Sequence, residues 1–195
     1  MMQDRTKQQM DFGVYLSPIT HNHIAHLISF SDDPELIDTM GWHPFRCNES
    51  ERFIKTVEIL TLPDSGDGDP ITFSIIAHKK DVPIGYVTLK GIHNDKSKAE
   101  IGIAIMDGRY RSGGHGTEAL KLVADYAFNT MNLSTIALTV FHSNTRAIKA
   151  YEKVGFKTVD ILKKSWTMPN GEKIDMLLMA LNKKRFCLQT KRLEG

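Results

Sequence analysis

The sequence predicts an α/β domain built on a mixed central β-sheet flanked by helices. Three observations carry this. One β-like run, several short helical stretches, three β-like runs, a long amphipathic helix, a β-like run, a short helix and two closing β-like runs follow in order. The three consecutive runs are split only by turns, which predicts an antiparallel meander. The strand–helix–strand unit after them predicts parallel pairing through a right-handed crossover.

The elements read as follows. Residues 1–10 are polar and read as a disordered lead. Phe12 to Leu16 alternates and stops at Pro18, a first strand. Asn22 to Phe30 puts Ile24, Leu27 and Ile28 on one helical face. Asp32-Asp33-Pro34-Glu35 is a helix start, with the helix running to Met40. Asn48 reads as the cap of a further helix with Phe53, Ile54, Val57 and Leu60 as its stripe. Leu62 to Pro70 is rich in Asp, Gly and Pro, a mobile loop. Ile71–His78, Ile84–Leu89 and Ala99–Met106 are the meander, with turns at Asp81-Val82-Pro83 and His93-Asn94-Asp95. A helix from Gly114 to Met131 turns Leu120, Val123, Ala124, Ala127 and Phe128 inward. Thr135–Phe141 is a strand, and Thr145–Val154 a helix ended by Gly155. Phe156–Ser165 and Lys173–Leu181 close the sheet around a turn at Pro169-Asn170-Gly171.

The length of 195 residues suits one domain, here residues 11–182, with a loose polar tail over 183–195. A net charge of +2 argues for neither a nucleic-acid nor a membrane partner. No apolar run approaches the ~20 residues of a membrane span, and the start lacks a signal-peptide core. Cys47 and Cys187 form no metal or redox spacing. They read as reduced thiols of a cytoplasmic protein. His21, His23 and His26 do not share one helical face, so no metal is expected there. Asp32, Asp33, Glu35 and Asp38 read as a solvated helix start, or as an attraction for a cationic amine.

The informative stretch runs from Met106 to Leu120 and joins an apolar strand to an amphipathic helix. Glycines 113, 114 and 116 allow left-handed backbone and close approach of peptide N–H groups. With the helix N-terminus they make a site for phosphate or diphosphate. A Walker loop would need Lys before Ser or Thr, but Gly116 is followed by Thr117-Glu118. A Rossmann turn needs G-x-G-x-x-G, which these glycines do not make. A structural turn without a ligand is the plain alternative.

Two segments resemble a known family. Arg111-Ser112-Gly113-Gly114-His115-Gly116 is similar to the R/Q-x-x-G-x-G/A signature of the GNAT N-acetyltransferases. Asn144 to Phe156 resembles their N-x-x-A-x-x-x-Y-x-x-x-G-F motif, one helix and one strand later. Asp33 to Asp38 and Gly41-Trp42 look like the early helices of the subgroup holding ribosomal-protein alanine and spermidine acetyltransferases. Ser112, Gly113 and Gly108 depart from that subgroup, in a loop whose donors are backbone groups.

The resemblance implies acetyl-CoA as co-substrate, no metal, and a primary amine as acceptor: a protein N-terminus, a polyamine or a small molecule. It implies that Ala104, Ile105 and Met106 hold the pantetheine arm between splayed parallel strands. Arg111, Ser112, Gly113, Gly114, His115, Gly116 and Thr117 would hold the diphosphate. Tyr151 matches the tyrosine that faces the sulfur; a core tyrosine is the alternative. Asn144 caps its helix and matches a position that contacts CoA. The attacking amine must lose a proton. Glu100 is the candidate base, or else an edge-of-sheet glutamate, and His142 is a second candidate. Relatives commonly dimerise. A sensor or assembly module on the same fold is the competing function.

Overall fold

A computed structural model describes residues 13–40, 54–58, 60, 70–92, 97–168 and 170–193. The chain order is β1 (Val14–Pro18), α1 (His21–Ile28), α2 (Pro34–Met40), β2 (Ile71–Ala77), β3 (Val82–Lys90) and β4 (Lys98–Ile105). Then follow α3 (His115–Asp125), β5 (Thr135–Phe141), α4 (Thr145–Val154), β6 (Lys157–Thr167), β7 (Lys173–Asn182) and α5 (Lys183–Leu193). Residues 54–58 are also helical. Asn48, Phe53, Gly41-Trp42, the loop over 61–69 and the turn at His93-Asn94-Asp95 lie outside the described residues.

The strands form a seven-stranded sheet in the order β1-β2-β3-β4-β5-β7-β6. β2, β3 and β4 pair antiparallel, as the meander requires. β4 and β5 pair in parallel across the α3 crossover. Pro83, read above as turn, lies in β3 and faces Ile76 where the register shifts. Proline brings no N–H to a ladder, and a bulge absorbs the misfit.

The sheet buries both faces. On one, Val14, Ile75, Val87, Leu89 and Ile101 pack with Leu120, Val123, Ala124, Ala127 and Phe128 of the α3 region. All five inward positions read from the helical period are buried. Full burial of such aliphatic and aromatic side chains stabilises by about 1.5–3 kcal/mol each. On the other face, Tyr86, Ala104 and Met106 pack under Ile24, Leu27, Leu36 and Leu60. The α3 rod ends in a π-helical turn, Tyr126–Thr130, closed by Met131 N donating to Tyr126 O at 3.1 Å.

The expectation of a loose polar tail is corrected. Residues 183–193 are helical, and Asn182 Oδ1 accepts from Arg185 N at 2.9 Å. Phe186 is buried against Phe128, with ring centroids 5.5 Å apart. Lys183 Nζ donates to Phe128 O at 2.6 Å, and Gln189 Nε2 donates to Lys153 O at 3.0 Å. Among the described side chains of this helix Phe186 alone is buried, while Cys187 and Leu188 are exposed, so its apolar residues make no periodic stripe to read. No helix among the described residues is long and apolar enough to cross a membrane.

Candidate functional site

The site begins where two strands part. β4 and β5 pair only at Lys98–Thr135, Ala99–Ile136 and Glu100–Ala137. Both strands run on, to Ile105 and Phe141, without pairing to each other. Antiparallel neighbours exchange main-chain hydrogen bonds at alternate residues. Met106 N donates to Ile84 O of β3 at 2.8 Å, so Ala104 and Gly102, in the same phase, also face β3. Ile103 therefore turns its N–H and C=O toward the gap, and so does the Ile105 N–H, while the Ile101 N–H still bonds β5 at the last pair. On β5, His142 N donates to Asp175 O at 3.1 Å, which turns Thr139 and Phe141 toward the same gap. The result is a wedge edged with main-chain donors and acceptors.

A cleft of about 520 Å³ occupies this wedge and continues over the start of α3 and the flank of α4. Ile103, Ile105, Gly114, Gly116, Thr139 and Tyr151 all line it. The α3 end is open in the sense that matters for an anion. Gly114 is its N-cap at φ +92°, with no side-chain cap bond. The first helical bond runs from Glu118 N to Gly114 O at 3.0 Å, so the amides of Gly116 and Thr117 have no helical acceptor. The space beside Gly114 is empty: a Cβ there would meet nothing within 4 Å. Ser112 also has a positive φ, 62°, which completes the bend. Gly113 is small for another reason, since a Cβ there would touch the His115 ring at 3.0 Å.

The charges of the cleft are of one sign. Arg111, Arg146, Lys149 and Lys153 line it, and no Asp or Glu does among the described residues. Arg146, Lys149 and Lys153 are spaced by three and four, which puts them on one face of α4. That signal was legible in the sequence; which face looks into the cleft was not. Ile103 and Thr139 are likewise lining residues that the motif reading missed.

The candidates separate on this geometry. Ala104, Ile105, Arg111, Ser112, Gly114, Gly116, Thr117, Asn144 and Tyr151 line the cleft. Met106, Gly113 and His115 do not. Met106 is buried, and both its N–H and that of Asp107 (3.1 Å) go to Ile84 O. Neither is free to polarise a guest. The His115 ring turns inward, with Nδ1 donating to Tyr110 O at 3.0 Å and the ring edge-on to Tyr110. Glu100 is exposed at the last pair before the strands part, and it does not line the cleft. His142 is exposed and outside it as well.

Arg111 is the largest departure from expectation. Its guanidinium is engaged inside the protein: Nε donates to Ile105 O at 2.9 Å and Nη2 to Met106 O at 2.7 Å. Nη1 pairs with Asp33 Oδ2 at 2.7 Å and Glu35 Oε2 at 3.0 Å. Glu35 also takes Arg146. The Arg111 guanidinium first, and Arg146 second, hold the Glu35 carboxyl below its usual range. The acidic helix start is thus largely internally paired.

Asn144 caps α4, its Oδ1 accepting from Ala147 N at 3.1 Å, while Nδ2 donates to Thr39 O at 3.4 Å. The Tyr151 ring is buried beside Phe156, and burial pushes its phenol up to about 12. No described residue hydrogen-bonds its hydroxyl.

The acetyltransferase (GNAT) domain model matches residues 14–157. The chain belongs to the GNAT family. Over 162 residues it is 29% identical to the uncharacterized N-acetyltransferase p20 of Bacillus licheniformis, covering 82% of this chain and 87% of that protein. It is 39% identical over 72 residues to the spermidine N(1)-acetyltransferase of Escherichia coli, covering 37% of this chain and 38% of that enzyme. The spermidine N-acetyltransferase of Vibrio cholerae, solved with CoA and spermine, has the same fold. Its TM-score is 0.74 at 19% identity, covering 90% of this chain and 98% of that one. Among the described GNAT residues no group of His, Cys, Asp or Glu is placed to hold a metal.

Proposed function

We propose that this GNAT protein transfers the acetyl group of acetyl-CoA to a primary amine by direct attack in a ternary complex. The observation that carries the reading is the cationic wedge between β4 and β5, open at the uncapped end of α3 and closed at Tyr151. The fit is chemical. The free amides of Gly116 and Thr117 and the ammonium groups of Lys149 and Lys153 match an anionic diphosphate. The cleft-side edges of Ile103, Ile105 and Thr139 match an amide-bearing arm, which adds to the open sheet as a short strand.

The cofactor supplies an activated thioester. The chain's own groups do the rest. The Ile105 N–H, turned into the gap, donates to the oxygen on which negative charge builds. The Tyr151 phenol is protonated at neutral pH, as any tyrosine is, burial pushes it further up to about 12, and it donates a hydrogen bond at the departing sulfur. No carboxylate or imidazole lines the cleft among the described residues. The amine must shed its proton before it attacks, with Glu100 or His142 as candidate groups to take it or pass it to water, and the reactive fraction is the free base. With an alkylamine pKa near ~10, kcat/KM for the amine rises about tenfold per pH unit around neutrality.

The named activities of the relatives support an amine as the acceptor class. Calorimetry with CoA, followed by thiol release across a panel of polyamines, amino acids and peptides, tests the reading. Micromolar CoA binding with turnover of at least one amine is expected. CoA binding without turnover of any amine would leave a sensor; the absence of both would end the assignment.

A further inference from the structure

Arg111 belongs to the glycine-bend signature, and its charge invites a phosphate contact. The structure assigns it another task. We propose that Arg111 is a positioning residue: its guanidinium fixes the end of β4 at the wedge and ties α2 to it through Asp33 and Glu35. The proposal deepens the acetyltransferase reading and rests on it for its kinetic arm.

The bonding inventory is the argument. A guanidinium has five N–H donors in a rigid fork. Here they serve two carbonyls, Ile105 O and Met106 O, and two carboxylates, Asp33 and Glu35. The side chain is only 6% exposed. A phosphate would have to strip it from four partners already within 3.0 Å. The two carbonyls belong to the peptides just after the Ile105 N–H, the donor that faces the gap. Holding them fixes the direction of the strand where it has no neighbour on that side. The carboxylates belong to α2, whose Leu36 and Thr39 line the cleft. Glu35 takes Arg146 from the far wall, and Asn144 Nδ2 reaches Thr39 O. The α2 helix is thereby pinned to the ends of both β4 and α4. Lys149 and Lys153, which make no ion pair among the described residues, remain for the phosphates.

The test compares two thioesters. S-acetylpantetheine carries the acetyl group and the arm but no phosphate. The variants are Arg111→Lys, which keeps the charge and loses the fork, and Glu35→Gln, a half-exposed site that folds without it. The acceptor is the fastest of the amine panel. Both variants are expected to lower kcat, on the order of 10–100-fold for Arg111→Lys, by the same factor on acetyl-CoA and on S-acetylpantetheine. A loss confined to acetyl-CoA, carried by KM, would make Arg111 a phosphate ligand and overturn the proposal. Hydrogen exchange of the ligand-free proteins gives the second arm. Amides of residues 35–40 are expected to exchange faster in both variants than in the wild type; unchanged exchange would overturn the tie. If the wild type turns over neither thioester, the acetyltransferase reading fails and the exchange arm alone decides this one.

Discussion

Two strand-to-helix turns lie side by side in this protein, and they treat their helix ends in opposite ways. At α4, Asn144 Oδ1 accepts from Ala147 N, so the helix satisfies its own first turn. At α3, Gly114 offers no side chain, and the amides of Gly116 and Thr117 face the cleft. The first end serves stability; the second is left unfinished for a guest. A glycine N-cap costs a helix only about a few tenths of a kcal/mol relative to Ser, Thr, Asn or Asp. A bound diphosphate would return that and more. The contrast predicts that substitutions at α3 change binding more than folding, and those at α4 the reverse.

Gly116→Val should break the comparison most visibly. A Cβ at Gly116 meets only the Ile105 side chain, Cγ1 at 3.5 Å and Cδ1 at 4.0 Å, both ordinary contacts, so the backbone accepts a side chain there. The added methyl groups occupy the space where the free amides look out. CoA affinity should fall by on the order of 100-fold or more, a loss of about 2.7 kcal/mol. The melting temperature should move by only a few degrees, about 2–4 °C per kcal/mol in a chain of this size. Calorimetry and a thermal melt read both numbers. Retained binding would mean the guest does not reach these amides.

Tyr151→Phe comes next. The ring still fills its place beside Phe156 and the hydroxyl is lost. In the proposed mechanism kcat falls on the order of 100-fold while the KM for acetyl-CoA changes little. The phenol lies at about 12, so the wild-type rate should show no downturn from tyrosine ionisation up to about pH 10. A downturn near pH 8 that vanishes in Tyr151→Phe would put the phenol in the wrong state for this role.

Much of this contrast was legible before the fold. β4, α3, β5 and α4 each carry a clean period of two or 3.6, and glycine marks the bend because few other residues adopt its angles. The Asn144 cap is a local matter of three residues, so it too could be read. What could not be read is contact across the chain. Nothing near Arg111 signals that its partners are Asp33 and Glu35, more than seventy positions earlier. The strands β4 and β5 have ordinary β sequences throughout, yet they pair for three residues and then part. Their separation is set by what packs on either side. The motif marks Arg111 to Thr117 as one unit; the structure divides it into groups that face the cleft and groups that hold the bend together.

Asn144→Ala tests the stable side of the comparison. It removes the cap on Ala147 N and the bond to Thr39 O. A loss of about 1 kcal/mol is expected, which is a drop of about 2–4 °C in melting temperature. CoA affinity should fall less than tenfold, far less than for Gly116→Val. A larger effect on binding than on melting would erase the distinction between the two ends.

The smallest effect concerns the ion pairs that join the two turns. Glu35 bridges Arg111 and Arg146, and its carboxyl is held below its ordinary value, chiefly by Arg111. A depressed carboxylate stabilises the fold while it is ionised in both states. That contribution is complete above the unfolded value of 4.5 and fades as pH falls through the folded one. The side chain is half exposed and water screens it, so the contribution is about 0.5 kcal/mol. Wild type and Glu35→Gln should therefore melt about 1–2 °C apart at pH 7 and converge as pH falls through the depressed folded value, below 4.5. The gap should also narrow in molar salt, since screening shortens the reach of exposed charges to about 3 Å. A gap that persists at low pH would show that Glu35 acts there by packing and not by charge. Arg111 would then be held mainly by Asp33 and by the two carbonyls at the end of β4.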